Sequence, residues 1–281
     1  MITEMITETI ADTLAAMPTN ELLLIWAVSA LVMTATWALS WRLGNAGHVD
    51  AVWAALMAGA ALYAGATGQG ADLPRLLVAL MGGIWGARLC LHVLDRVLHE
   101  PEDGRYRYLR EHWRGHQGKF FLFFQAQALF VVVFALPMLV AASNPQSGFN
   151  GWLALALLIW LVSVSGEALA DRQLARFRAR PDNRGKTCRE GLWAWSRHPN
   201  YFFEWLHWFA YALIAIGAEH AWLAWSGPVL MLAFLYRVTG IPYTEAQALR
   251  SRGDDYRRYQ REVSAFIPWP PKRIGGTPTD A

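Results

Sequence analysis

Apolar positions along this chain fall in blocks of about twenty rather than in strict alternation, and short polar breaks separate the blocks. They predict membrane spans at about 21–41, 51–67, 73–94, 120–142 and 152–170, a sixth starting at Asn200, and a seventh at about 221–236 with Pro228 inside it. About twenty apolar residues in a helix cross the hydrocarbon of a bilayer. The expected fold class is therefore all-α, an integral membrane bundle of about seven transmembrane helices. Ahead of the spans, Ile2, Met5, Ile6, Ile10, Leu14 and Met17 share one face of an amphipathic segment over residues 1–19, which has Glu4, Glu8 and Asp12 but no basic start of the signal-peptide kind. No linker or repeat divides residues 20–271, so a single membrane domain is expected, with 272–281 as a polar tail.

Polar groups inside such blocks are informative, because a charge at the centre of a membrane helix costs roughly 2.5–3.5 kcal/mol and usually faces a bundle interior. Gly191 to Glu204 places Arg197, His198, Pro199 and Asn200 immediately before an apolar run. Pro199 suits the first turn of a helix, where its missing N–H costs nothing. Asn200, Glu204, His207 and Tyr211 then fall at i, i+4, i+7 and i+11, on one face. Arg88, His92, Asp95, Arg96 and His99 form a similar stripe in the third span, with snorkelling charges at a helix end as the plainer explanation. Ser163, Glu167 and Asp171 step by four residues in the fifth span, and Asp50 borders the apolar phase of the second. The segment Glu100–Tyr108 reads as a solvated loop, and Gln125 and Gln127 in the fourth span suggest no chemistry.

Charge orients the bundle. Lys and Arg number six between residues 95 and 119, eight between 171 and 199 and eight after 236, while the alternate breaks hold almost none. The positive-inside rule then puts the N-terminus outside and the C-terminus in the cytoplasm. The expected location is a bacterial-type inner membrane, with His48, Asp50, Arg96, Arg105, Arg178, Lys186, His198, Glu204 and Glu245 near its cytoplasmic surface. Arginines around polar acceptors suit a diphosphate-bearing cofactor, although positive-inside loops also look basic when they only touch anionic lipid. No Gly-x-Gly-x-x-Gly follows a strand, which argues against a Rossmann site. Cys90 and Cys188 stand far apart, so neither a disulfide framework nor a metal site is expected. The expected partners are membrane lipids and a lipophilic small molecule from the bilayer, with no nucleic acid and an undetermined oligomeric state.

The segments "EALADRQLARFRARPDNRGK", "GLWAWSRHPNYFFEW" and "DDYRRYQREVSAFIPW" resemble, in type and order, the steroid 5α-reductase C-terminal domain family, in particular its bacterial branch of uncharacterised membrane proteins. A looser Arg-His-Pro-x-Tyr also occurs in isoprenylcysteine carboxyl methyltransferases and sterol reductases. The resemblance implies a seven-helix bundle with NADPH among its cytoplasmic helix ends. It implies that Glu167, Asp171, Arg178, Asn183 and Lys186 line the adenosine-phosphate side. Asn200 and Glu204 approach the nicotinamide end, with Arg197, His198 and Tyr201 of the same segment among the cofactor contacts. Arg96, Asp103 and Arg105 cap the cofactor, and Glu245 and Tyr256 complete the wall.

The implied reaction is NADPH-dependent reduction of a carbon–carbon double bond conjugated to a ketone in a steroid-like or isoprenoid molecule, which needs a hydrogen-bond donor at the developing enolate oxygen. This chain departs from the family there. Val49 and Asp50 stand where the family has a Gln-Glu pair, and Val93 stands where it has a Tyr. Asp50, with a raised pKa, or His92 is the expected proton donor, and Glu204 completes the catalytic set. Two other readings stand beside this one: an S-adenosylmethionine-dependent methyltransferase of a lipid or prenylated thiol, and a non-enzymatic lipid-binding membrane protein.

Overall fold

The computed structural model describes residues 17–238 and 240–272. Nearly all of the 1–19 segment and of the 272–281 tail lies outside those residues. The long elements are α1 (Thr19–Leu43), α2 (His48–Thr67), α3 (Asp72–His99), α5 (Gln117–Ala142) and α6 (Gly151–Ala179). Shorter helices are α4 (Gly104–His112), α7 (Pro199–Ile214), α8 (Ser226–Ala233), α9 (Ile241–Arg252) and α10 (Asp254–Glu262). A 3-10 segment, Ala221–Trp225, leads into α8, and one π-helical turn, Phe234–Val238, leaves it. Among the described residues there is no β-strand, only an isolated bridge between Ser196 and Ser264. The protein is an all-helical membrane bundle.

Among the described residues, six segments are long and apolar enough to cross a membrane: α1, α2, α3, α5, α6 and the run Ala221–Arg252. The expected sixth of seven spans is α7, which has 16 residues and is thus about 24 Å long, against about 30 Å of hydrocarbon. It begins at Pro199, as the sequence predicts. By contrast α3 and α6 run past their apolar blocks into charge, to His99 and Ala179. Glu100–Tyr108 is not simply a solvated loop. Asp103 caps α4, its Oδ1 accepting from Arg105 N at 2.9 Å, the usual way to satisfy an orphan first-turn N–H.

The chain forms two compact units. The first comprises the residues up to Ala154 together with Tyr211–Gly227. Small residues let α2 and α3 meet closely, as in other membrane helix pairs. A Cβ on Gly65 would lie 2.6 Å from Ala79 Cβ, one on Gly86 2.8 Å from the Ala54 carbonyl oxygen, and one on Gly82 would overlap Ala61 Cβ. Ile25, Ser29, Met33, Thr36 and Ser40 are the buried stripe of α1. Leu23, Leu24, Trp26, Leu31, Leu39 and Trp41 on the same helix are exposed, the arrangement expected where lipid is the solvent. Gln125 ties α5 to α1 by donating to Thr34 Oγ1 at 3.1 Å and to the Ala30 carbonyl at 3.4 Å. Its place in an apolar span is structural.

The second unit comprises Leu155–Ala210 and the residues from Pro228 onward. Within it Gly166 lets α6 approach the Phe203 ring of α7, where a Cβ would sit 2.5 Å away. The tail beyond α10 returns to the segment before α7. Ser196 Oγ donates to the Phe266 carbonyl at 2.7 Å, and the Trp269 N–H to the Trp195 carbonyl at 2.9 Å. Phe266 then packs against Phe202, Trp205 and Tyr236.

Candidate functional site

In the second unit the Arg-His-Pro turn is gripped by residues from α9 and α10. Arg197 Nε donates to Glu245 Oε1 at 2.7 Å, and its Nη1 donates to the Gln260 and Val263 carbonyls at 3.0 and 2.7 Å. Its own N–H donates to the Ser264 carbonyl. Glu245 also accepts from Gln260 Nε2 at 2.8 Å. The side chains of Arg197 and Glu245 are only 11% and 16% exposed, so each needs the other. His198 Nε2 lies 3.3 Å from Glu245 Oε1. Burial pushes the imidazole pKa down, and that outweighs the opposing pull of Glu245. At neutral pH the contact is therefore a hydrogen bond from a neutral ring, not an ion pair. Burial, then the Glu245 carboxylate, raises the Tyr256 pKa well above its ordinary value. Arg197, His198, Glu245 and Tyr256 thus form one cluster, which Gln260 and the Val263 carbonyl join. Tyr201 stacks on His198 with ring centroids 5.4 Å apart, and its hydroxyl lies 3.2 Å from Thr244 Oγ1.

The end of α6 supplies a second group in the same unit. Glu167, Asp171, Leu174 and Arg178 lie at i, i+4, i+7 and i+11, one stripe of one helix. Exposure rises along it, from the buried Glu167 through the half-buried Asp171 to the exposed Arg178. Asn200, at the start of α7, donates from Nδ2 to Asp171 Oδ1 at 3.4 Å. Asn183 is used structurally, donating from Nδ2 to the Phe177 carbonyl at 2.8 Å beyond the helix end. Arg178 and Lys186 are exposed. Arg178 lies close enough to Arg252 for the two cations to repel. Further along α7, Glu204 Oε1 is 3.4 Å from Trp208 Nε1.

The first unit holds the remaining expected residues. Arg105 Nη2 donates to Asp50 Oδ2 at 2.9 Å, and the buried Tyr106 hydroxyl donates to Asp50 Oδ1 at 2.6 Å. Asp103 accepts from Arg105 and stands 3.7 Å from Arg96. Burial alone would raise the Asp103 pKa, but Arg105, with a smaller share from Arg96, holds it below the usual carboxylate range. Both Asp50 oxygens thus accept hydrogen bonds, one from Arg105 and one from Tyr106. His92 sits on α3 one turn before Arg96. Asp95 and His99 pair with each other at 3.1 Å on the exposed end of that helix, as the snorkelling explanation expects. The stripe therefore divides into an outer pair and an inner Arg96. Most of the expected residues thus fall into two groups in the second unit and one in the first, while Arg178 and Lys186 are exposed.

Sequence comparison agrees with the membrane architecture. Residues 36–263 match the family described as "Protein of unknown function (DUF1295)". The chain belongs to the DUF1295 family. The chain is also 24% identical over 282 residues to an uncharacterized protein of Schizosaccharomyces pombe, covering 89% of this chain and 80% of that one. No solved structure matches. The DUF1295 match spans both polar groups, Asp50–Arg105 and Arg197–Glu245, and ends at Val263, whose carbonyl Arg197 holds.

Several residues of these groups escape a reading of the sequence. Tyr106 lay in a stretch dense in charge, where only its distant partner Asp50 gives it a role. Glu102 is another. Its Oε1 accepts from the Ala46 N–H and from Arg110 Nη2, both at 2.7 Å, tying the turn before α2 to α4. Thr244, Gln260 and Arg252 likewise gain meaning only from partners outside their own segments. Helix periodicity brings Thr244 and Glu245 onto adjoining positions, but nothing in it pairs them with residues forty or more positions earlier.

Proposed function

We propose that this protein is a membrane-embedded, NADPH-dependent reductase of a carbon–carbon double bond conjugated to a ketone in a lipophilic, steroid-like or isoprenoid substrate. The α6 stripe carries this reading. It runs from a buried carboxylate to an exposed guanidinium that has a like charge, Arg252, for a neighbour, an arrangement that favours a bound polyanion. A cofactor with sugar hydroxyls between phosphates and a planar amide fits such a gradient.

In this reading Arg178, Arg252 and Lys186 hold phosphate oxygens. Asp171 accepts from a ribose hydroxyl, and Asn200, which it orients, contacts the carboxamide end. NADPH supplies a hydride for the β-carbon, and a proton from the protein or water completes the addition at the α-carbon. Glu204, one turn along α7 from Asn200, is the candidate for holding a proton near the developing enolate oxygen. Arg197, His198, Glu245 and Tyr256 act as positioning residues, because their polar atoms fix the turn from which α7 starts. Asp103 and Arg105 fix the α4 segment in the same sense. The positive-inside distribution supports a cofactor site on the cytoplasmic side.

The test is binding selectivity. Arg178→Ala and Lys186→Ala each remove a charge-assisted bond and should weaken NADPH by about tenfold or more while leaving NADH nearly unchanged. Titration of purified protein with each nucleotide reads this directly. Equal losses for the two nucleotides would remove the 2′-phosphate from these residues, and retention of full NADPH affinity would remove the site.

A further inference from the structure

Beyond α10 the chain forms a strap, residues 264–272, whose backbone is tied down along its length. The Arg197 N–H donates to the Ser264 carbonyl and the Trp269 N–H to the Trp195 carbonyl, both at 2.9 Å, and the Lys272 N–H returns to the Glu262 carbonyl at 2.8 Å. Ser196 Oγ holds the Phe266 carbonyl between them. Phe266 points inward and is buried against Phe202 and Trp205 of α7 and Tyr236. Its neighbours do the opposite. Ile267 and Trp269 are 57% and 66% exposed, and Trp195, bonded to the strap, is 48% exposed. Pro270 and Pro271 beside them are exposed as well. Apolar residues scattered singly on a surface need no explanation, but a contiguous group marks a contact. Here a held backbone with two prolines presents two indoles and an isoleucine together, so little chain entropy is lost when they are covered.

What covers the group follows from where the strap sits. Phe202 and Trp205 belong to the first two turns of the apolar α7, and Tyr236 lies in the π-helical turn that leaves α8. Phe266 therefore seats the strap where apolar helices of the bundle end. Cations lie at the same level. Arg237, next to the partly exposed Tyr236, is exposed, and so is Lys272 at the root of the strap. Trp and Tyr beside Lys and Arg are the composition of the membrane–water boundary, where an indole sits at headgroup depth and a cation meets anionic lipid. The surface is apolar at its tip, cationic at its root and seated at helix ends, so it matches the bilayer boundary in both chemistry and depth. We propose that the strap is an interfacial membrane anchor that sets Trp195, Ile267 and Trp269 into the lipid headgroup layer beside the start of α7. Because Ser196 and Arg197 are bonded to the same strap, the anchor also fixes the Arg-His-Pro turn at that depth.

The experiment uses the full chain with a photoreactive benzophenone side chain at one position, as Ile267→benzoylphenylalanine or Trp269→benzoylphenylalanine. Asp182, on an exposed turn of the same unit, is the control position. Each protein is reconstituted into phosphatidylcholine vesicles and irradiated, and its adducts are read by mass spectrometry. Both test positions exchange one exposed apolar side chain for another, and a melting temperature close to that of wild type checks the fold; either position alone suffices to decide. Phospholipid adducts at 267 and 269 should be several times as abundant as at 182. Lipid adducts no more abundant there than at 182 would place the strap in water and overturn the proposal. Cross-links to a second copy of the chain in place of lipid would show a protein interface and overturn it equally.

Discussion

Arg197 makes its side-chain bonds to groups forty-eight or more positions away in sequence, Glu245, Gln260 and Val263. Removing it would strand a mostly buried carboxylate and two carbonyls. Arg197→Ala should therefore lower stability by roughly 2–4 kcal/mol, seen as a reduced melting temperature; Arg197→Lys should recover only part of it, since an ammonium lacks the planar fork. A melting temperature unchanged by the alanine would show the cluster to be energetically idle. His198 sets the pH response. Its folded pKa is depressed, chiefly by burial, so the unfolded chain binds a proton at about pH 6.5 that the folded chain refuses. Stability should hold above that pH and fall as pH drops from about 6.5 toward the folded pKa, below which this contribution is fully lost. His198→Gln should flatten the slope in that window; an unaltered slope would assign it to another group.

At the scale of elements, glycine has two different uses. Gly44 ends α1 at φ 70° with open space around its missing side chain, so Gly44→Ala should cost only about 1–2 kcal/mol of backbone strain. Gly82 is instead a packing contact, and any side chain there meets Ala61 of α2. Gly82→Val should abolish a monodisperse detergent-solubilised product while Gly44→Ala retains one, by size-exclusion chromatography; equal behaviour would mean that α2 and α3 do not rely on close approach. The spans themselves are legible in sequence because hydrocarbon demands about twenty apolar residues, and Pro199 announces α7. What apolar blocks cannot show is a helix continuing after its lipid-facing stretch. Asp95–His99 and Asp171–Ala179 are polar, yet they remain helical, the first as the outer end of α3 and the second as the stripe that meets Asn200. The α4 helix is hidden for a related reason. Its apolar face, Tyr106 and Leu109, is short and lies among charged residues, and its place is also set by Asp50 and Gly44, more than fifty positions earlier.

For the whole molecule, each unit contains polar bonds that link distant parts of the chain inside an otherwise apolar bundle, Asp50 to Arg105 in one and Arg197 to Glu245 in the other. The membrane class was legible from periodicity and charge, and most candidate residues came only from the family resemblance; their pairing was legible from neither, because acid and base types alone do not choose partners. The structure uses Arg105 and Arg197 largely on the protein itself and leaves Arg178 and Lys186 exposed, and this division moves the proposed cofactor contacts toward the end of α6. The most direct measurement is the thermal shift of detergent-purified protein with NADPH, NADH and S-adenosylmethionine at one shared concentration, about a hundred times the dissociation constant expected for NADPH, where NADPH binding stabilises by roughly 2.7 kcal/mol. The account predicts a clear upward shift with NADPH, a smaller one with NADH and none with S-adenosylmethionine. A shift with S-adenosylmethionine alone, or with none of the three, would contradict it.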